Sequence, residues 1–366
     1  MSGHAIERKR TAIVGCGKVA ATHAMAWRSL ANSEFVGVCD RSPERAQALA
    51  AKFEVRAYSD LPEMIEKERV DVLSVCTQHT QHLPPIETAA RCGANIIVEK
   101  PLAVDLPSCD RAIAAARSAG VKLGVVSQRR FYEPVQRMKE AIKGGKLGKP
   151  VLCSVVMLAW RDPTYYTLDP WRGTWTGEGG GVLVSQASHY LDLLSWFMGP
   201  VRELYAYWDN YNHPNIEVDD TSVAAVRFES GAMGSIVLSN SQRPGLYGKI
   251  HVHGSSGASV GAETDSGSTF ISGITEQMEL PFNDIWTVPG EEHRLPVWNQ
   301  EDRSRRWDVM THYHEVQLGD FLSAVSENRE PSIDGEAGRR VVELFTAVYQ
   351  SQRQGKPAQF PLNSMA

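Results

Sequence analysis

Short apolar runs alternate with amphipathic stretches through the first third of the chain. The runs TAIVG, FVGVCD, VDVLSVCT, ANIIVEKP and VKLGVVS predict buried strands, and the stretches between them carry helical spacing. Strands that alternate with helices in this way imply right-handed crossovers and a parallel sheet. The pattern predicts an α/β protein whose first domain, residues 1–126, contains a doubly wound parallel sheet.

The pattern changes after Pro150. Strand-like runs now follow one another with turns between them: VLCSVVMLAW, ELYAYWDNY, TSVAAVRFES, GAMGSIVLSNS and GKIHVHGSSG. Such a series favours a mostly antiparallel sheet. We therefore expect residues 127–366 to form a second, α+β domain with a large, open, mostly antiparallel sheet.

Helical spacing returns in two places in this second domain. Leucines and other apolar residues recur at helical intervals over residues 182–197, and residues 314–354 also favour helix, interrupted by the turn-like EPSIDGEAG. The final helices are expected either to complete the second domain or to pack back on the first. Residues 262–300 carry little periodic signal and are predicted to form a long excursion of loops.

Composition narrows the class of partner. The chain has a hydrophobic fraction of 42%, a charged fraction of 22% and a net charge of −5, which gives no reason to expect nucleic acid or an anionic membrane. Its six cysteines include no CxxC pair, so neither a disulfide framework nor a zinc site is predicted. The polar start of the chain and the lack of a long apolar run predict a cytoplasmic protein that binds small molecules.

The first predicted strand ends in GCGKVA, a GxGxxA turn. Gly15 is expected to permit the tight turn, Gly17 to let a pyrophosphate approach the backbone, and Ala20 to keep the helix close to the sheet. Lys18 and Val19 lie within the same turn and are expected to contact the nucleotide. Glycines can also be required only for the backbone conformation of a turn that binds no nucleotide. The surrounding sequence must therefore decide between the two interpretations.

An acidic residue supplies that context. The second predicted strand ends at Asp40, twenty positions after Ala20, where a carboxylate accepts hydrogen bonds from an adenosine ribose. The combination predicts a Rossmann dinucleotide-binding domain. A carboxylate at this place repels the additional phosphate of NADP, so NAD is the favoured cofactor. Arg41 keeps NADP open as the less favoured one, because a guanidinium can hold that phosphate; it can equally be a solvated residue at a helix start.

Lys100 is the first candidate for the chemistry. The triplet Glu99-Lys100-Pro101 follows directly on the apolar run ANIIV, at the carboxyl end of a strand, where open α/β sheets bind their ligands. Desolvation beside a nicotinamide is expected to lower the pKa of such a lysine, which suits it to exchange a proton with a hydroxyl. Taken alone, Lys100 is equally a surface lysine paired with Glu99.

Several pieces together resemble one family over nearly the whole chain. They are GCGKVA, the EKP triplet, QRRF followed by GKLGKPV, GGGVLVSQASHYLDLLSW, and the final EAGRRVVELFTAVYQS ending near FPL. The chain resembles the glucose-fructose oxidoreductase, inositol dehydrogenase and MocA (Gfo/Idh/MocA) family. The resemblance implies a Rossmann domain followed by an α+β domain, and hydride transfer between a nicotinamide and a sugar or polyol.

The resemblance also implies roles for particular residues. The EKP lysine of the family lies near the nicotinamide and the reacting carbon, and a histidine after the GGG turn faces the substrate; these roles map onto Lys100 and His189. Many relatives carry an aspartate four residues before that histidine, whereas this chain has Ser185. A hydroxyl can orient a substrate but is no carboxylate base, which shifts the proton transfer onto Lys100 and His189. His189 can also be a buried core residue, and Asp192 is expected to make a structural hydrogen bond.

In the nucleotide-binding half, relatives often show Thr-Pro-Asn and then a histidine, and this chain has Thr77-Gln78-His79 and then His82. Thr77 and His82 are expected to line the cofactor site, as are Glu99 of EKP and Gln128 of QRRF. The spacing of His79 and His82 alone would permit a metal. No third metal ligand is indicated, and hydride transfer requires no metal, so no metal is predicted.

The segment DPTYYTLDPWRGTWTGEGGG concentrates aromatic residues before the GGG turn. Aromatic rings stack on the C–H faces of sugars, and tyrosine and arginine bind their hydroxyls. The predicted substrate site is formed by Lys100, Arg130, Tyr165, Trp171, Arg172, Trp175, Ser185 and His189. The aromatics, with Tyr166, can instead form interface core, and the arginines can be surface cations. His312 and His314 are weaker candidates.

Two other functions remain open at this stage. One is a glycoside 3-dehydrogenase that retains its NAD, and the other is a non-catalytic sensor of sugar and nucleotide, since similar folds serve as regulators. The intact lysine of EKP and His189 favour an enzyme. The second-domain sheet is expected to have an apolar face, and members of the family commonly form dimers or tetramers through it. We therefore predict a homodimer or homotetramer formed through that sheet.

Overall fold

The computed structural model describes residues 7–264 and 280–362. The chain divides into two compact units, the first comprising Met1–Gln128 and Met310–Arg339 and the second Arg129–Val309 and Arg340–Ala366. Within the described part of the chain, none of the helices has both the length and the apolar character that a bilayer crossing requires.

Fourteen strands and twelve α-helices are present in the described residues. The strands are β1 Lys9–Val14, β2 Ser33–Cys39, β3 Arg56–Tyr58, β4 Val72–Val75, β5 Asn95–Val98, β6 Leu123–Val125, β7 Pro150–Leu158, β8 Val201–Asp209, β9 Thr221–Phe228, β10 Met233–Ser239, β11 Tyr247–Gly254, β12 Ser259–Glu263, β13 Phe282–Trp286 and β14 Ala358–Gln359. The helices are α1 Ala20–Ser29, α2 Pro43–Phe53, α3 Leu61–Glu68, α4 Leu83–Arg91, α5 Leu106–Ala119, α6 Glu133–Lys143, α7 Pro163–Thr167, α8 Val182–Ser185, α9 Ser188–Met198, α10 Arg294–Ser304, α11 Val309–Ser326 and α12 Gly335–Gln354.

The first unit contains a parallel sheet of six strands in the order β3-β2-β1-β4-β5-β6. The strand order reverses between β1 and β4, which is where open α/β sheets form a ligand crevice at their carboxyl ends. Three of its helices, α2, α3 and α5, have side-chain N-caps. The side chains of Ser42, Asp60 and Asp105 each accept a hydrogen bond from the backbone amide three residues later, and a proline lies in the first turn of each helix.

The core of the first unit is closed by a late helix. Trp27 of α1 is fully buried with Ile13 and Ile97 of the sheet, and Leu318 and Phe321 of α11 belong to the same cluster. A side chain at position 124 of β6 would clash, because its Cβ would lie 2.7 Å from Phe321 Cδ2. The glycine there lets α11 pack directly on the strand.

The second unit contains a sheet of eight strands in the order β13-β12-β11-β7-β10-β9-β8-β14. Only β7 and β10 run parallel among its described pairs, and the other neighbours are antiparallel. Burial alternates strictly along β9 and β11, as expected when one face of a sheet covers a core and the other does not. The fold class predicted from the sequence is confirmed for both units.

Two local predictions were wrong, and a short strand was missed. The short strand β3 was missed, because three residues are too few to show an alternating pattern. The helix expected over residues 182–197 is broken after Ser185, where the Ala187 amide bonds the carbonyl of Val182, five residues back. The loops predicted over residues 262–300 include β13 and α10, although residues 265–279 lie outside the described part. β13 escaped detection because its buried position 283 is an asparagine, which bonds the carbonyls of Pro134 and Gly261.

Candidate active site

The glycine-rich turn lies between β1 and α1, at the switch in strand order. Gly15 has a φ of +90°, and a Cβ there would lie 2.7 Å from backbone atoms of Cys76 and Thr77 on β4's side of the crevice. Only glycine meets both conditions. A Cβ on Gly17 would meet nothing within 4 Å, so open space faces the backbone at this position. That space fits the close approach of a pyrophosphate.

Asp40 is fixed beside this turn. One carboxylate oxygen accepts a hydrogen bond from the Cys16 amide at 2.7 Å, and the other from the Ser42 amide at 2.8 Å. The carboxylate therefore links the end of β2 to the glycine turn. Its negative charge stands where a ribose diol can donate hydrogen bonds and where an additional phosphate would be repelled. The residues present fit NAD.

The other predicted cofactor residues differ in exposure. Lys18 and Arg41 are exposed, and Val19 is half-buried where α1 begins. Gln128 is buried, with its amide nitrogen 3.8 Å from the Met310 sulfur in the same unit. The contacts of these four side chains with a nucleotide remain a prediction.

His82 is fully buried. Its Nε2 lies 3.1 Å from the carbonyl oxygen of Thr77, and its Nδ1 lies 2.8 Å from that of Pro101. The imidazole thus joins the loop after β4 to the loop after β5. Burial lowers the pKa of His82, against the effect of these two carbonyls. His82 therefore supports the turn that carries Lys100, whatever it contributes to cofactor binding.

Glu99 anchors the Lys100 turn from the other side. One oxygen accepts the backbone N–H of Lys100 at 3.2 Å, and the other lies 2.9 Å from His23 Nε2 and 3.4 Å from His314 Nε2. Burial alone raises the pKa of Glu99, but the hydrogen bonds of the two histidines outweigh it and hold the pKa well below the ordinary value. An ionised carboxylate is therefore fixed directly behind the half-buried Lys100.

The tautomer of His23 follows from its partners. Trp27 Nε1 can only donate, and it lies 2.9 Å from Ser74 Oγ. The Ser74 hydroxyl is then free to donate to His23 Nδ1, 3.0 Å away, which leaves the proton of His23 on Nε2, toward Glu99. Because burial lowers the pKa of His23, the neutral form is favoured.

His23, Glu99 and His314 also have the residue types of a metal site with two histidines and one carboxylate. One ligand atom from each lies within 4.8 Å of the other two. Two hydrogen bonds orient the histidines, since His23 donates to Glu99 and His314 Nδ1 donates to the Met310 carbonyl at 2.7 Å. The absence of a metal at these three side chains remains a prediction.

In the second unit, the aromatic segment forms a polar network. The Arg172 guanidinium donates to the Tyr165 hydroxyl and lies 4.4 Å from the centroid of the Trp171 ring. It also lies 3.4 Å from a carboxylate oxygen of Glu178, which in turn accepts a hydrogen bond from the Ser185 hydroxyl. Four predicted substrate residues are thus brought together around Glu178.

Glu178 was not predicted as a site residue. It directly precedes the three glycines at 179–181, and they let the chain turn so that Glu178 meets Ser185. Gly181 cannot carry a side chain, because its Cβ would lie 1.8 Å from the carbonyl oxygen of Asp219. Asp219 holds this turn by accepting the amides of Gly181 and Leu183 at 2.8 and 3.1 Å. An acidic residue directly before the GGG run was the sequence signal that could have identified Glu178.

Trp175 lies elsewhere in the second unit. Its ring packs edge-on against Trp208, with centroids 5.7 Å apart, and against Tyr349, at 5.1 Å. This contact favours the packing interpretation of Trp175 over sugar stacking.

His189 lies in the first turn of α9 and is 8% exposed. The break after Ser185 offsets Ser185 and His189 from the regular register of a single helix.

Arg130 and Asp192 form a buried pair. Nε and Nη2 of Arg130 bind the two oxygens of Asp192 at 2.7 and 2.5 Å, and the guanidinium lies 5.1 Å from the Trp196 ring centroid. The side chains are only 8% and 4% exposed. This contact supports a structural role for Asp192 and commits much of the Arg130 guanidinium to the fold.

We expect Asp192→Ala to destabilise the protein by about 3–5 kcal/mol, because it leaves the Arg130 charge buried without its partner. Urea unfolding measures this directly. The double variant Arg130→Met with Asp192→Leu is the control, and it should recover most of the stability because neither charge remains. An unchanged unfolding midpoint in Asp192→Ala would show that the pair carries no stability.

A second buried pair predicts a pH dependence. His213 Nδ1 lies 2.9 Å from Asp220 Oδ2, and Nε2 lies 2.7 Å from the Arg161 carbonyl, so both nitrogens face acceptors. Burial lowers the pKa of His213, but the bonds to Asp220 and Arg161 outweigh it and the pKa is raised. A raised pKa stabilises the fold below the unfolded value of about 6.5, and this contribution is lost as the pH rises through the folded pKa.

His213→Ala should therefore lower Tm by roughly 5–10 °C at pH 6 and by clearly less at pH 9. Scanning calorimetry measures Tm of the wild type and of the variant at both pH values. The contribution of other titrating groups cancels in the difference between the two proteins at each pH. An equal loss at both pH values would mean that the imidazolium does not stabilise the fold.

Two family models match most of the chain. Residues 9–127 match the model of an oxidoreductase family with an NAD-binding Rossmann fold, and residues 135–260 match a GFO/IDH/MocA C-terminal domain. A myo-inositol 2-dehydrogenase of Thermotoga maritima is 31% identical over 93% of this chain and 96% of that protein. A D-apiose dehydrogenase of Paraburkholderia graminis is 25% identical over 96% and 89%.

A solved structure is similar over the same length. The WlbA dehydrogenase from Bordetella pertussis, in complex with NADH and UDP-GlcNAcA, superposes with a TM-score of 0.87 and 31% identity over 98% of this chain and 99% of that one. The WlbA dehydrogenase of a second bacterium, also in complex with NADH and UDP-GlcNAcA, gives a TM-score of 0.83 and 27% identity over 98% and 97%.

Proposed function

Because the chain belongs to the Gfo/Idh/MocA family of oxidoreductases, we propose that it transfers hydride between NAD and a carbinol carbon of a sugar, polyol or sugar derivative. The family, the fold class and the NAD-binding domain predicted from the sequence are confirmed by the matches. One observation carries the proposal. Lys100 stands on a turn fixed by Glu99 and His82, at the carboxyl end of the sheet that also carries the glycine turn.

The cofactor and the protein divide the chemistry. Bound NAD supplies the acceptor for hydride from the carbinol carbon. Lys100 accepts the proton of the reacting hydroxyl, and His189 relays that proton or holds a neighbouring hydroxyl. Asp40 binds the adenosine ribose and selects NAD over NADP. Tyr165, Arg172 and Ser185 supply polar groups of the second unit for the hydroxyls of the substrate.

The names of the relatives support a substrate of this class. Relatives that match nearly the full chain act on myo-inositol and D-apiose, and the WlbA dehydrogenase binds a nucleotide sugar. The experiment is a panel of polyols, aldoses, anhydrosugars, glycosides and UDP-GlcNAcA, each with NAD and NADP, followed by absorbance of the reduced cofactor. Reduction of NAD with at least one member is expected, and none with any member would contradict the proposal.

Two alternatives make different predictions in the same assay. A glycoside 3-dehydrogenase that retains its cofactor is favoured by the large sugar derivative that WlbA binds together with NADH. It would be purified with NAD or NADH bound and would not respond to added NAD. A non-catalytic sensor would bind nucleotide with measurable affinity and transfer no hydride with any panel member.

We also propose a homodimer or homotetramer formed through the second-unit sheet. Tyr207, Val223, Val237 and Val156 are direct neighbours across four strands on the outward face. Tyr207 is 63% exposed and Val223 is 45% exposed. A row of apolar side chains on an uncovered sheet face favours a second copy as its partner. Light scattering at micromolar concentration should give a multiple of the chain mass, and a monomeric mass would contradict this.

The compartment is inferred from the cysteines. All six are free, and four of them are buried. Free thiols are usual where the environment is reducing. We therefore propose the cytoplasm as the site of action.

A further inference from the structure

His314 has one ring nitrogen whose protonation is fixed by its partner. Its Nδ1 lies 2.7 Å from the carbonyl oxygen of Met310, which precedes it by one turn of α11. A carbonyl oxygen can only accept a hydrogen bond, so Nδ1 must carry a hydrogen. A ring turned over would place carbon atoms at both nitrogen positions and lose this bond. In a neutral imidazole only one nitrogen carries a hydrogen, and Nε2 would then be bare.

The other nitrogen of His314 faces a carboxylate. Nε2 lies 3.4 Å from Oε1 of Glu99, the oxygen that also lies 2.9 Å from His23 Nε2. His314 is 2% exposed and Glu99 is 8% exposed. A bare nitrogen would therefore point its lone pair at an ionised oxygen in a buried place, where repulsion is weakly screened. A hydrogen on Nε2 replaces this repulsion with an ion pair.

The contacts of Glu99 assign that hydrogen to His314. Its second oxygen accepts the backbone N–H of Lys100 at 3.2 Å, so a carboxyl proton on that oxygen would meet a donor. Burial alone raises the pKa of Glu99, but the contacts with His23 and His314 outweigh burial and hold the pKa well below its ordinary value. Glu99 is therefore the anion of the pair and His314 the cation.

The other titratable groups around Glu99 do not replace this proton. The His23 ring lies 5.4 Å from the His314 ring, and burial lowers the pKa of His23. A second proton on His23 would still leave His314 Nε2 bare. Burial also lowers the pKa of His82 and raises that of the Cys76 thiol, so both favour their neutral forms.

We propose that His314 is a positioning residue that carries a proton on both ring nitrogens and, as an imidazolium, holds Glu99 where it binds the Lys100 amide. Its importance for turnover rests on the proposed function, in which Lys100 accepts the proton of the reacting hydroxyl. The pair also connects α11, which closes the core of the first unit, to the turn that carries Lys100.

Nitrogen-15 NMR of the full-length protein labelled at histidine tests the proton directly, because bare and protonated ring nitrogens resonate far apart. His314→Gln identifies the signals of His314 by their loss. At pH 7 we expect two protonated nitrogens in His314, and one protonated and one bare nitrogen in His23. A bare Nε2 in His314 would overturn the proposal. So would a stoichiometric metal ion in elemental analysis of the same sample, because the ion would take the place of the proton.

Kinetics test the positioning role. His314→Leu should lower kcat by about tenfold to a hundredfold, because Glu99 loses the partner that fixes it. His314→Gln should recover most of this loss, since its amide can donate to Glu99 without a charge. Gln317→Leu is the matched control. Gln317 also lies on α11, but it binds Ser127 and Val125 at 2.9 and 2.8 Å, so its replacement should leave kcat near the wild-type value.

The outcomes separate this inference from the proposed function. No turnover by the wild type with any panel member would overturn the proposed function, and NMR would still decide the protonation of His314. Wild-type turnover with an unchanged kcat in His314→Leu would overturn the inference alone, as would equal losses in His314→Leu and Gln317→Leu. If His314→Leu does not fold, NMR of the wild type decides, and a bare Nε2 there overturns the inference.

Discussion

Lys100→Met should lower kcat by about a thousandfold while the affinity for NAD stays unchanged. Methionine keeps the length and apolar stem of lysine but has no amine to take a proton. The backbone of the turn should be unaffected, because Glu99 binds the Lys100 amide and His82 binds the Pro101 carbonyl. Steady-state rates and titration of NAD by calorimetry measure the two quantities separately.

Lys122→Met is the matched control for this experiment. Lys122 belongs to the same unit but pairs with Glu330 at 2.8 Å, away from the Lys100 turn. Its replacement should leave kcat and the affinity for NAD near their wild-type values. A Lys100→Met protein with wild-type kcat would remove lysine from the mechanism. A loss of NAD affinity would reassign Lys100 to cofactor binding.

His189→Ala should lower kcat by about a hundredfold with a smaller effect on KM. The proposal gives His189 a share of the proton transfer, and Ser185 offers no carboxylate base to replace it. The ring lies in the first turn of α9 and is 8% exposed, so alanine at this position also removes buried volume. Unfolding of the variant must therefore be measured beside its kinetics.

His253→Ala is a suitable control, since His253 lies on β11 and bonds Ser259 at 2.8 Å. It should leave both kinetic constants unchanged. A His189→Ala protein that is folded and altered in KM alone would demote His189 to a substrate-binding residue. Unchanged kinetics would support the core-residue interpretation.

The parts of the site that depend on local backbone geometry were predictable from the sequence. Gly15 needs a positive φ and the absence of a Cβ, and Asp40 follows at a distance set by one strand and one helix. Such requirements produce a sequence motif with fixed spacing. Lys100 belongs to the same class, because the end of an apolar strand is visible in the sequence.

Contacts between distant residues were not predictable. Glu99 meets His23 and His314, and no local pattern relates residues so far apart in the sequence. Ring orientation is equally hidden. His82 was expected to line the cofactor site, and the structure shows both of its nitrogens on backbone carbonyls. Its contact with the cofactor stays a prediction.

The second unit illustrates the same limit. The sequence identified Tyr165, Arg172 and Ser185 as substrate residues but did not show that Glu178 joins two of them. That contact depends on a glycine turn whose direction is set by Asp219, a residue far along the chain. A departure from the family pattern at position 185 was visible, whereas the carboxylate beside it was not.

The most direct test of the central claim is the transfer of deuterium from substrate to cofactor. A panel substrate deuterated at the carbinol carbon is incubated with the protein and NAD, and the nicotinamide is analysed by mass spectrometry. If the protein transfers hydride as proposed, the NADH carries one deuterium on its nicotinamide ring. Reduced cofactor without the label, or no reduction with any member of the panel, would contradict it.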